Sequence, residues 1–173
     1  MQKYLLNIII LIAGCCNVCY AQQSAVTFAE ARAWIIAPIS INKTTDMDFG
    51  NVAVSTQSGG TVVLNPAGGR VSTGGVSLPT TSGSPQPASF SVTGESNYSY
   101  TITLPTSATL GDGLGNTMII NSFTSTPQSI GTLNAGTQNL SVGATLSVNA
   151  GQQAGNYSTQ TGGSSFNVTV NYN

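Results

Sequence analysis

The sequence predicts an all-β domain, an antiparallel immunoglobulin-like β-sandwich preceded by a helical signal peptide. Three observations predict it. After residue 21 no stretch repeats its apolar residues at helical spacing. Short alternating runs recur instead, broken by glycine, proline and asparagine. The composition supplies both parts, with threonine, valine, isoleucine and tyrosine for strands and 20 glycines and 7 prolines for turns. With no helix available for a crossover, the pattern favours an antiparallel sandwich over a parallel sheet.

The leader comes first in chain order. Lys3 is a positive n-region, Tyr4 to Ala13 an apolar h-region, and Cys19-Tyr20-Ala21 places small residues at the −3 and −1 positions of a cleavage site. Residues 1–21 read as a signal peptide and 22–173 as a single β-sandwich domain. The same stretch carries a second reading. Ile12-Ala13-Gly14-Cys15 resembles a bacterial lipobox, which would put a lipid anchor on Cys15. Both readings export the domain to the extracellular space or cell surface, with a periplasmic or lipid-anchored location as alternatives. The apolar run falls short of the ~20 residues a spanning helix needs. No second one follows, so the mature chain has no transmembrane segment.

Ala25 to Ile41 alternates, with Ala29, Ala31, Ala33, Ile35, Ala37, Ile39 and Ile41 on one parity, and predicts one long strand or two, bent at Pro38. Asp46 to Ser55 is a turn and a short strand. Gly59-Gly60 introduces a strand over Thr61–Asn65, Pro66–Arg70 turns, and Gly74-Gly75 introduces Val76–Leu78. Pro79–Pro87 is the most loop-like stretch. Strands follow over Ala88–Thr93 and Tyr98–Leu104, then a glycine-rich loop over Gly111–Asn116 and a strand over Met118–Thr124. Thr137–Val142 and Ala144–Val148 read as two strands parted by Gly143. Ser165–Tyr172 ends the series.

The chemistry is limited by what is missing. All three cysteines, Cys15, Cys16 and Cys19, lie in the leader region, and there is no histidine. Once the leader is cleaved, the chain lacks thiol and imidazole, so the expected protein is not an enzyme and holds no cofactor and no metal. Arg32, Lys43 and Arg70 are too few and too scattered to track phosphates, which excludes nucleic acid as a partner. Asp46, Asp48 and Asp112 offer oxygen donors in loops as a calcium site would, against their ordinary use in Asx turns. Glu95, after Gly94, is the most site-like carboxylate, against a solvated turn charge. A glycosidase would need two facing carboxylates. Gly111–Asn116 has neither the lysine nor the following helix of a phosphate loop. Asn42, Asn97, Asn139, Asn156 and Asn167 stand in Asn-x-Ser/Thr triplets.

Several segments then recur in a recognisable order: Ile35–Ile41, Asp48–Val52, Phe90–Glu95, Tyr100–Pro105, Leu146–Val148, Ala154–Tyr157 and Val168–Tyr172. Together they resemble the secreted bacterial domain-of-unknown-function 4402 family, a resemblance that implies export and a β-rich domain. More distantly, the Ala-Gly-x-Tyr segment and alternating final strand are similar to spore-coat-protein-U-like and chaperone-usher pilus subunits. That similarity implies a last strand that pairs with a secretion chaperone or with other protein subunits.

The final strand is therefore the leading interaction site. Phe166, Val168, Val170 and Tyr172 share one face and Asn167, Thr169 and Asn171 the other, which is the pattern strand addition uses and also that of any half-buried strand. Ala25–Ile41 could serve as a strand donated to a neighbour, or be the first strand of its own sheet. The expected function is a structural or adhesive subunit of a surface or extracellular assembly. The alternative is a standalone module binding glycan or protein through exposed aromatics, with Tyr98, Tyr100 and Tyr157 as contributors and Trp34 expected in the core.

Overall fold

The computed structural model describes residues 24–173. The leader, the cleavage and lipidation sites and the cysteines lie outside the described residues. Contacts divide the chain after Trp34. In the first unit, residues 24–34 carry neither helix nor strand, and Val26, Phe28 and Trp34 are exposed.

The second unit, Ile35–Asn173, contains twelve strands and no helix. They are β1 (Ser40–Thr45), β2 (Ala53–Val54), β3 (Gly60–Leu64), β4 (Arg70–Gly74), β5 (Val76–Ser77), β6 (Ala88–Thr93), β7 (Ser99–Thr103), β8 (Ser107–Gly111), β9 (Thr117–Thr126), β10 (Ile130–Thr132), β11 (Thr137–Val148) and β12 (Thr169–Tyr172). Every pairing is antiparallel. The protein is an all-β, sandwich-like domain, as its alternating runs predict.

A seven-stranded sheet runs β1-β6-β11-β3-β4, with β9 on the far side of β11 and β8 beyond it. A three-stranded sheet runs β10-β7-β12, and β2 pairs β5. The long strand β11 underlies both parts of the core. Leu140, Val142, Ala144, Leu146 and Val148 alternate along it and are all buried. Leu140 and Val142 pack with Val92 of β6, Tyr100 and Ile102 of β7 and Val170 of β12. The residues from Ala144 on pack with Val62 and Leu64 of β3, Ile120 of β9, Val76 of β5 and Phe49. Each fully buried valine or leucine adds about 1.5–3 kcal/mol. Met47, Phe123 and Phe166 touch both groups and form the seam between them.

Two sequence expectations are corrected. Gly143 does not divide two strands. On one edge of β11, pairing with β6 ends at Val142 and pairing with β3 begins at Ala144, so the glycine sits at the handover. A Cβ there would lie 2.2 Å from the Leu64 carbonyl oxygen. The residue is glycine because a neighbouring backbone approaches closely, not because the chain turns. Second, Ala25–Ile41 is not a strand. Regular pairing begins at Ser40, and Trp34, expected in the core, is 87% exposed. Alternation separates two faces of a segment but supplies no partner for its backbone.

Candidate functional site

The last strand is built as its alternation predicts. Val170 is buried and Phe166, Val168 and Tyr172 are half-buried, while Asn167, Thr169 and Asn171 are exposed. Thr169–Tyr172 pairs with Tyr100–Thr103 of β7. The expected strand is shorter than predicted, since Phe166 to Val168 precedes it without a ladder partner. Phe166 instead stacks on Phe123 at 5.1 Å and closes the seam of the core.

β12 is the end strand of the three-stranded sheet, and β1 is the end strand of the seven-stranded sheet. Between these edges lies an open cleft of about 450 Å³, lined by Ile41, Lys43, Phe90, Phe166, Asn167, Val168 and Thr169. Ile41, Phe90, Phe166 and Val168 point into the core yet stay half-exposed, because no further strand covers them. This opening, with two strand edges on its rim, is the candidate site. A second cleft lies between β7 and β9, lined by Ile102, Leu104 and Phe123.

One end of the rim is tied by hydrogen bonds. The Tyr172 hydroxyl donates to the Ala37 carbonyl at 2.8 Å and accepts from the Glu95 amide at 2.6 Å. The Glu95 carboxylate accepts the Ala37 amide at 2.9 Å. Tyr98 packs edge-on against the Tyr172 ring at 5.8 Å. Gly94 leaves the room for this, because a Cβ there would sit 2.2 Å from the Tyr172 oxygen. Glu95, the most site-like carboxylate of the sequence, thus anchors the backbone just before β1. The available sequence signal was Gly94, which closes β6 where an aromatic tip must fit.

The other carboxylates are used locally. Asp46 pairs with Lys43 at 2.5 Å, and Glu30 with Arg32 at 2.7 Å. Asp48 accepts the Gly50 amide at 2.6 Å. Asp112 accepts the Leu114 and Asn116 amides at 2.7 and 3.0 Å and the Asn116 side-chain amide at 2.5 Å. The Asn116 side chain first, and the backbone amides after it, hold the Asp112 carboxyl below its ordinary range. Asp48 and Asp112 therefore do Asx-turn work. Among the described residues no three Asp, Glu, His or Cys side chains come together.

The aromatic residues are dispersed. Tyr100 is fully buried, donates to Gln138 Oε1 at 2.8 Å, and has its pKa raised by burial. Tyr157 donates to the Gln153 carbonyl at 2.9 Å and accepts from Gln152 at 3.0 Å. Only Tyr98 joins Tyr172 at the rim. Among the described residues, no helix is long and apolar enough to cross a membrane.

No curated protein and no solved structure matches this chain. Residues 39–172, a span that holds every strand from β1 to β12 and both edges of the cleft, match the family described as Domain of unknown function (DUF4402), and the chain belongs to that family.

Proposed function

We propose that this protein is an exported, non-enzymatic subunit of a cell-surface or extracellular assembly, and that it acts by β-strand pairing. One observation carries the reading. β1 and β12 end their sheets on either side of a cleft whose apolar floor, Ile41, Phe90, Phe166 and Val168, is incompletely covered. An added strand would find main-chain partners on the rim and side-chain pockets between. Exposed strand edges are otherwise shielded by charge, proline or bulges. Here the rim has a single cation, Lys43, and one irregularity in β1 between Lys43 and Thr45. The partners are other protein subunits or a secretion chaperone. The local use of all five carboxylates and the lack of histidine favour binding over catalysis.

Sedimentation velocity of the purified protein over a wide concentration range tests this reading. The weight-average mass should rise with concentration. A single monomeric species throughout, with no partner recovered from the cells that make it, would overturn the proposal.

A further inference from the structure

Beyond β4, among the described residues, the large sheet has no further strand. The β3–β4 ladder runs without a shift from Gly60–Gly74 to Leu64–Arg70. At its loop end the Asn65 amide donates to the Gly69 carbonyl at 2.9 Å, and past its other end the Gly75 amide donates to the Gly59 carbonyl at 2.8 Å. Hydrogen-bonded and open pairs alternate in an antiparallel ladder. Val63–Val71 and Thr61–Thr73 are therefore bonded pairs. Arg70, Ser72 and Gly74 turn their N–H and C=O groups away from β3, and among the described residues no other backbone group takes them up.

Native sheets blunt such edges with charge, proline, bulges or a covering loop. The outer edge of β8 is treated this way, bridged by Ser158 and Ser164. β4 has no proline and no bulge, and its one charge is withdrawn, because the Arg70 guanidinium donates to the Phe49 and Asn51 carbonyls. What the edge presents is apolar. Val71 is 61% exposed and its cross-strand partner Val63 40%. The Thr73 hydroxyl beside them is already engaged with Thr61 at 2.8 Å.

The edge is complementary to itself. Turned antiparallel about a two-fold axis at Ser72, it sets Ser72 against Ser72 of the second copy and Arg70 against Gly74, each pair exchanging N–H and C=O. No like charges meet. Val71 falls opposite Thr73 of the second copy, so the row Val63–Val71 continues across the axis into Thr73–Thr61 as a run of β-branched neighbours. We propose that β4 pairs with β4 of a second copy, antiparallel and in register about Ser72, joining two domains into a two-fold dimer. A second copy is the occupant because the same short strand supplies both halves of the match. The contact rests on strand pairing as the mode of association but uses no residue that lines the cleft. The two lie on different stretches of β11, with β6 and β1 before Gly143 and β3 and β4 after it.

Ser72→Pro tests the ladder. The Ser72 N–H points away from β3, so proline leaves the hairpin intact and removes a donor that only the second copy would use. In sedimentation the parent should pass from monomer to dimer with concentration, and Ser72→Pro should need a dissociation constant about tenfold higher or more. Asn139→Lys, exposed in the middle of the sheet, should behave as the parent does. Cysteine variants test the register, in a chain whose Cys15, Cys16 and Cys19 are replaced by serine. Val71→Cys mixed with Thr73→Cys should give a disulfide-linked dimer on mild oxidation, since an open pair sets its Cα atoms about 4.5 Å apart. Each variant alone should link far less, because identical residues then lie on a diagonal. If Ser72→Pro fails to fold, the cysteine pair carries the test. A mixture that links no more than its components, or a folded Ser72→Pro that associates as the parent does, would overturn the β4 contact. Growth past the dimer in both parent and Ser72→Pro would do so while leaving the cleft reading standing. A parent that stops at two copies, with Ser72→Pro monomeric and no other partner recovered, would keep the β4 contact and overturn the cleft reading.

Discussion

The Tyr172 hydroxyl makes two hydrogen bonds that a phenylalanine could not, while its ring keeps the packing against Tyr98. Tyr172→Phe should therefore cost about 1–2 kcal/mol in denaturant unfolding, roughly what removal of a partner from a part-buried amide and carbonyl costs. Gly94→Ala should destabilise by pushing that hydroxyl aside, and should cost less in the Tyr172→Phe background, where the obstructing oxygen is gone. Equal costs in both backgrounds would show that the glycine acts elsewhere. Asp112 gives a pH signature. Its carboxyl titrates below the ordinary value of 3.8, so its folded form favours the ionised state. Its contribution is complete above that ordinary value and is lost as pH falls through the lower, folded value. Acid unfolding followed by fluorescence should show this component in the parent and not in Asp112→Asn.

Single elements show how far the sequence could be read and why it stopped. Ala88–Thr93 coincides with β6 because its ends are marked by proline and glycine and its middle alternates. β4, β8 and β10 carry no strand signal because they are rich in small or polar residues. β4 has its Val71 exposed, and β8 buries only the small side chain of Ala108 and Gly111. Gly143 looks like a break in the sequence, although its neighbours hold the clue. The buried parity Leu140, Val142, Ala144, Leu146, Val148 passes through it without losing phase, whereas a turn would reset the phase. Gly143→Ala should accordingly cost about 2–3 kcal/mol, as overpacking does. The hairpin from β10 to β11 offers the opposite change. Ala135 and Gly136 both take positive φ, 50° and 81°, between the bridged pair Asn134 and Thr137. That is a type I′ turn, in which asparagine is favoured over alanine. Ala135→Asn should raise stability by about 0.5–1 kcal/mol, measured as a higher midpoint in urea. The candidate site was half legible: the alternating face of the last strand could be read, but the facing edge of β1 is a matter of topology, which no local pattern encodes.

Among the described residues a well-tied β-domain follows an N-terminal arm, residues 24–34, that carries neither helix nor strand. Trypsin should report the difference. Among the described residues its targets are Arg32, Lys43 and Arg70. The first is in the arm, the second in β1, and the third in β4 with its guanidinium bonded to the Phe49 and Asn51 carbonyls. Cleavage should fall first after Arg32 and leave the rest intact, as expected where backbone lacks hydrogen-bonded partners. Early cleavage after Lys43 or Arg70 would mean that the sheet ends are looser than their pairing implies.

The small knot at Ala37 has a mechanical consequence. A pull on the arm reaches Ala37 before it reaches the first rung of β1 at Ser40. There it meets Glu95, at the end of β6, and Tyr172, on the other sheet. Tension is shared between the two layers from the outset instead of peeling β1 from β6 one rung at a time. In single-molecule stretching from the arm, Tyr172→Phe should yield at lower force than the parent. The residue that ends the last strand would then serve as a strain relief for the first.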